Sequence, residues 1–98
     1  MTERSEDLVL GRLIIEPSLL LHVNIGEGYF QTGVNRAVFK AISDTREVLK
    51  DGDDLHNVHQ IGAHLEKVGL YDNVGGLARL AEYYPATPQG FFHNLSEL

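Results

Sequence analysis

The side chains best equipped for chemistry in this sequence are its five histidines, of which His56, His59 and His64 share one short stretch. A metal site needs its ligands gathered on one face. His56 and His59 are three apart, which suits neighbouring positions on a helix, yet His56 precedes the expected helix cap. His59 and His64 are five apart and diverge by about 140° around a helix axis. No HExxH pattern accompanies them, and His22 and His93 stand elsewhere. They read as helix-surface side chains, and no metal site is expected. A glycosidase-like pair needs two carboxylates projecting into one cleft. The acids here gather at expected helix starts and loops, where capping and solubility account for them. Ser5, Ser18, Ser43 and Ser96 have no nucleophile-elbow context. Gly75-Gly76 is no complete phosphate loop, and an acidic residue rather than a base precedes it. Tyr83-Tyr84 and Phe91-Phe92 lack the interleaved bases of a stacking platform for nucleic acid. The sequence assembles no active site, so the chain by itself is expected to be no enzyme and to hold no cofactor.

The elements that must position these residues follow from composition and periodicity. Ninety-eight residues, 43% hydrophobic and 22% charged, fit one ordinary globular domain. Fourteen acids against eight bases give a net charge of −6. That balance disfavours contact with a phosphate backbone, which depends on clustered Lys and Arg. The absence of cysteine excludes disulfides and thiolate sites. The acidic start, residues 1–7, is unlike a signal peptide, and no apolar run is long enough to span a membrane. The expectation is a soluble, cytoplasmic protein.

Six short helices are expected, packed as a compact orthogonal all-α bundle. Ser5 is read as the N-cap of the first, which carries Val9, Leu10, Leu13 and Ile14 on one face, with Gly11 at a close helix crossing. Pro17 stops it and opens a second helix to about Val23. Leu19, Leu20 and Leu21 there are too apolar for a fully exposed turn; 19–25 is also the one candidate strand. Tyr29 and Phe30 read as aromatic plugs. A third helix runs from Gly33 or Val34 to Lys50, with Val34, Val38, Ala41, Ile42, Thr45 and Leu49 on its inner face. Asn57, with Gln60 three residues on, reads as a capping box opening a fourth helix over 58–68, which Gly69 ends. Val74, Leu77, Ala78 and Ala81 mark a fifth helix that opens on Gly75-Gly76. Paired glycines cost about 1 kcal/mol each inside a helix. They are read here as a buried packing site that admits close approach. Thr87-Pro88 starts a sixth helix carrying Phe91, Phe92, Leu95 and Leu98.

In this order the motifs resemble the amino-terminal domain of the bacterial replicative DNA helicase, the DnaB family, over almost all of the chain. The stretch 6–14 (EDLVLGRLI) is similar to the family's opening "E…VLG.L(L/I)" helix. Phe30 with 35–42 (NRAVFKAI) resembles "F…(H/N)R.(I/V)F.AI". Asn57 stands where the family has an Asp N-cap, at the same distance before Gly69. The stretches 65–69 (LEKVG) and 74–80 (VGGLARL) resemble "LE..G……GGL.YL", and 87–98 the closing "N…YA..(I/V)" helix. The approach to Phe30, the 52–57 loop and Phe92-His93 depart from the common pattern and point away from an ordinary chromosomal copy.

The resemblance, and not the residues themselves, implies a non-catalytic role. Such a domain builds the collar of a hexameric ring through domain pairs and helps to dock primase during DNA replication. ATP and Mg would belong to a RecA-like motor that this sequence does not include. Phe91, Phe92 and Leu95 would lie in or near the partner interface, and little direct contact with nucleic acid is expected. The alternative is a free-standing adaptor or inhibitor that binds helicase or primase.

Overall fold

The structure is a computed structural model, and it describes residues 3–76 together with Leu80 and Ser96. These residues form three α-helices: α1 (Glu3–Ile15), α2 (Gly33–Thr45) and α3 (Asp54–Lys67). Three 3-10 segments join them, over Pro17–His22, Glu27–Tyr29 and Arg46–Val48. No described residue lies in a strand, the stretch 19–25 included. The Cα radius of gyration, 11.9 Å, matches a compact chain of this length, for which about 13 Å is usual. Most of the fifth and sixth expected helices lies outside the described residues; Gly76 and Leu80 of the fifth and Ser96 of the sixth are helical, and a count of six is not seen among the described residues.

Each helix buries one stripe at helical spacing. Val9, Leu10, Leu13 and Ile14 of α1 meet Val38, Phe39, Ala41 and Ile42 of α2 and Val58, Ile61 and Leu65 of α3 in a single core. Phe30, Val74 and Leu80 complete it. α1 begins at Glu3, two residues before its expected cap, so Ser5 lies inside the helix and is buried. Pro17 ends α1 as expected, and Glu16 before it leaves the helical region at φ −133° and ψ 74°.

Two boundaries differ from the expected ones. Thr32 caps α2, its side chain accepting from the Asn35 N–H at 3.0 Å, but the α-helix ends at Thr45 rather than at Lys50. The Thr45 hydroxyl donates back to the Ala41 carbonyl at 2.7 Å, the chain tightens to 3-10 over 46–48, and Leu49 is extended. Leu49 therefore packs on the core from a loop and not from the helix. α3 starts four residues early: Asp53, not Asn57, is the N-cap, accepting from the His56 N–H. Asn57 sits a full turn inside α3 and is wholly buried.

The end of α3 explains the glycines. Val68 closes the helix, Gly69 takes φ 79°, and the Leu70 N–H returns to the Leu65 carbonyl at 2.8 Å while Gly69 bonds Glu66. This is the Schellman stop. A single further turn follows, and it ends in the same way: the Gly76 N–H donates to Tyr71 O at 3.0 Å, and Gly75 donates to Asp72 O. Gly75 and Gly76 have φ of 95° and 66°. Gly75 therefore ends this turn with left-handed backbone, while Gly76 is already helical, as is Leu80, so the pair does open the fifth helix but not at a buried crossing. Gly75 is exposed and Gly76 only half-buried. A Cβ on Gly76 would lie 3.2 Å from the Tyr71 ring. Gly76→Ala should therefore destabilise by about 1–2 kcal/mol through the dihedral, and Gly76→Leu by about 2–3 through added crowding. Urea titration checks both; an unchanged midpoint for the alanine variant would refute the left-handed backbone at Gly76.

Candidate interaction surface

Four of the five histidines are described, and His93 lies outside the described residues. His64 Nε2 lies 3.3 Å from Asp44 Oδ2, which Lys40 also approaches at 3.6 Å, so the pair bridges α3 to α2. His56 Nε2 meets the Val48 carbonyl at 2.8 Å, pinning the start of α3 to the 3-10 segment before it. His59 and His22 are exposed. Among the described residues no group of three or more His, Asp or Glu side chains converges where a metal ion would sit.

The buried polar groups tie helices together. Glu6 is fully buried on α1; its carboxylate accepts from the Gln31 N–H at 3.2 Å and from Asn35 Nδ2 at 3.0 Å. Arg36 holds the same loop by donating to the Phe30 and Gln31 carbonyls. Asn57 forms the second tie. Its amide nitrogen donates to Ile14 O at 2.6 Å and Lys50 O at 2.8 Å, and its oxygen accepts from Lys50 N at 2.8 Å. It closes the C-terminal end of α1 against the loop that Gly52 also secures, through Gly52 N–H to Ile15 O.

A groove of about 340 Å³ opens beside this second tie, between Pro17–His22 and residues 46–51. Its apolar wall is Pro17, Leu20, Leu21 and Leu49, and its rim carries Arg46, Glu47 and Asp51. The three consecutive leucines explain its exposed edge. A 3-10 helix has three residues per turn, so successive side chains point about 120° apart and no single face holds all three. Leu19 and Leu20 pack on the core, and Leu21 is left 80% exposed. The turn is thus not fully exposed, as its leucines led one to expect, although Leu21 itself faces solvent.

Asp51 serves the groove as a cap supplied from a distance. Glu16 makes no side-chain cap at the start of the Pro17 segment, and the Ser18 N–H instead reaches Asp51 Oδ1 at 2.9 Å. Hydrogen bonds from the Ser18 side chain and then its backbone, with a smaller contribution from the Arg12 charge, hold the Asp51 carboxyl below its usual 3.8. A depressed folded-state value means that the ionised carboxylate stabilises the fold above the ordinary carboxylate range. That contribution fades as pH falls through 3.8 and below. Asp51→Asn should therefore lower stability at neutral pH, with the gap to wild type shrinking at pH ~3. Denaturation midpoints at the two pH values check it, and a constant gap refutes it.

Of the residues singled out by sequence, Gly11, Pro17 and Phe30 are buried, Asn57 is buried in a different role, Gly69 and Gly75 form two stops, and Gly76 is the first described residue of the next helix. The structure brings none of them together into one site. Thr87, Pro88, Phe91, Phe92 and Leu95 lie outside the described residues, as do Tyr83 and Tyr84. Sequence reasoning missed the Glu6–Asn35 pair, Leu21 as an exposed side chain, and Asp51. The proline before three leucines was the available signal for Leu21; nothing local signals the other two. No helix among the described residues is long and apolar enough to cross a membrane. Comparison with protein-family models, with curated proteins and with solved structures finds no match for this chain.

Proposed function

We propose that this chain is a non-catalytic head domain of a replicative DNA helicase of the DnaB type, serving ring assembly and primase docking. The observation that carries the reading is the ordered run of motifs through the sequence and the way two of them meet. Glu6 of the first resembling segment and Asn35 of the second are hydrogen-bonded at 3.0 Å. Phe30, the aromatic that introduces the second, stacks on its Phe39 with ring centroids 5.1 Å apart. Segments matched independently in sequence thus contact one another, which supports treating them as one inherited pattern. The all-helical fold of the described residues also agrees with it. The reading expects residues beyond Gly76 to complete an orthogonal bundle of about six helices, with Phe91, Phe92 and Leu95 at or near the partner face. ATP and Mg are assigned to a motor outside this sequence.

The test is calorimetric titration of the purified chain with the primase and with the hexameric helicase of its own genome. Weak, saturable binding to primase or to the helicase collar is expected. Absence of binding to both would overturn the proposal. Tight stoichiometric binding that blocks unwinding would instead favour a free-standing adaptor or inhibitor.

A further inference from the structure

We propose that the groove beside Leu21 receives an amphipathic helix with basic flanks, contributed by another protein. The geometry supplies an apolar wall with one large side chain projecting from its edge. Leu21 is 80% exposed while Leu20 beside it packs on the core. An unshielded leucine bordering a cavity differs from scattered surface leucines, which need no explanation. The volume, about 340 Å³, is at the lower end of the roughly 300–1,000 Å³ typical of ligand sites. Helix-in-groove recognition places apolar anchors at i, i+3, i+4 and i+7 into such a slot, leaving the flanks of the helix to meet the rim.

The rim decides the charge of those flanks. The rim itself carries Glu47 and Asp51 against Arg46, and Asp53 and Asp54 follow shortly after in sequence. Arg46, the cation on the rim, also donates to the Ser43 carbonyl and hydroxyl at 3.3 and 3.4 Å. The Asp51 carboxyl is held below the usual carboxylate range by its bonds to Ser18. The whole chain has a net charge of −6. A second copy is disfavoured as occupant, because a two-fold contact would set one acidic rim against another. A helix with Lys or Arg on both sides of an apolar stripe meets both requirements.

The proposal stands apart from the helicase reading, since it rests on the residues of this groove alone and specifies the chemistry of the partner rather than its identity. The probe is a synthetic labelled helix about four turns long, with a leucine stripe and lysine flanks, and a control with glutamate flanks. Anisotropy titration should show saturable, salt-sensitive binding of the lysine peptide and none of the control. Leu21→Asp should weaken binding roughly tenfold or more. The added carboxylate would strengthen any purely ionic attraction, so a loss is diagnostic. Glu47→Lys should weaken it as well. Circular dichroism of each variant verifies the fold, which substitution of so exposed a leucine leaves intact. Equal or tighter binding by Leu21→Asp, or equal binding of both peptides, would overturn the proposal. So would amide shifts on the labelled chain that map away from Ser18, Leu20 and Leu49. Sedimentation as a dimer that Leu21→Asp abolishes would replace the partner with a second copy.

Discussion

Replacing Asn57 by alanine should lower the stability of the fold by about 3–4 kcal/mol, the largest polar effect expected in the chain. The side chain makes three bonds of 2.6–2.8 Å from a fully buried position. Alanine leaves the Lys50 N–H, the Lys50 carbonyl and the Ile14 carbonyl without those partners. Each buried group left orphaned costs about 1–3 kcal/mol, although the Lys50 carbonyl keeps the Asp53 N–H at 3.2 Å. Water reaching the exposed Lys50 side offsets part of the sum. For a domain of this size the loss corresponds to roughly 12–30 °C in melting temperature. Asn57→Asp tests the donors separately. It keeps an acceptor for Lys50 N–H but sets a carboxylate against two carbonyls, so it should be at least as damaging. Thermal unfolding followed by circular dichroism is the measurement. A loss below about 1 kcal/mol for alanine would mean that Asn57 does no more than cap an exposed helix end.

Phe30→Ala is the second substitution expected to act strongly, by about 3–5 kcal/mol. Phe30 is 1% exposed and lies with its ring tilted 31° to that of Phe39. It anchors the loop that delivers the chain from the Glu27–Tyr29 segment into α2. Phe30→Leu keeps most of the buried area and should lose only about 1–2 kcal/mol, including the aromatic contact. Tyr29 provides the internal control. It is 48% exposed, and Tyr29→Ala should remain within about 0.5 kcal/mol of wild type. Equal effects at 29 and 30 in urea titrations would show that the loop is not anchored through Phe30.

These two residues also mark where sequence reading succeeds and where it stops. Of the two expected aromatic plugs, Phe30 is buried and Tyr29 is not, so the sequence placed an aromatic anchor here but did not distinguish which ring supplies it. The stripes Val9–Leu10–Leu13–Ile14, Val38–Ile42 and Ile61–Leu65 are legible because burial repeats with the helical period. Gly69 is legible as a stop because its neighbours already form a helix. Asn57 is not. Its type and its spacing to Gln60 suit a cap, and only Ile14, 43 residues away, turns it into a buried tie. Glu6 looks like an ordinary first-turn acid until Asn35, 29 residues on, is brought beside it. The Gly75-Gly76 pair is legible as the opening of a helix, but not as the left-handed end of the turn before it, nor as a site left partly open to solvent. The candidate groove is equally hidden, because it depends on a 3-10 pitch at 17–22 that local sequence does not distinguish from an α-helical turn.

The Asn57 tie also implies an order of events. Two of its bonds join residues only seven apart, while the third spans 43. Chain closure over the longer span costs roughly 1.6 kcal/mol more entropy than over the shorter, from the logarithmic dependence on loop length. The Lys50–Asn57 clasp can therefore form early, as a local event within the loop and the first turn of α3, before α1 arrives. When α1 docks, it finds one amide hydrogen already aimed at its last turn. One side chain thus acts first as a local template and then as a latch, and the registry of α1 on the rest of the fold is decided by whichever carbonyl reaches that hydrogen.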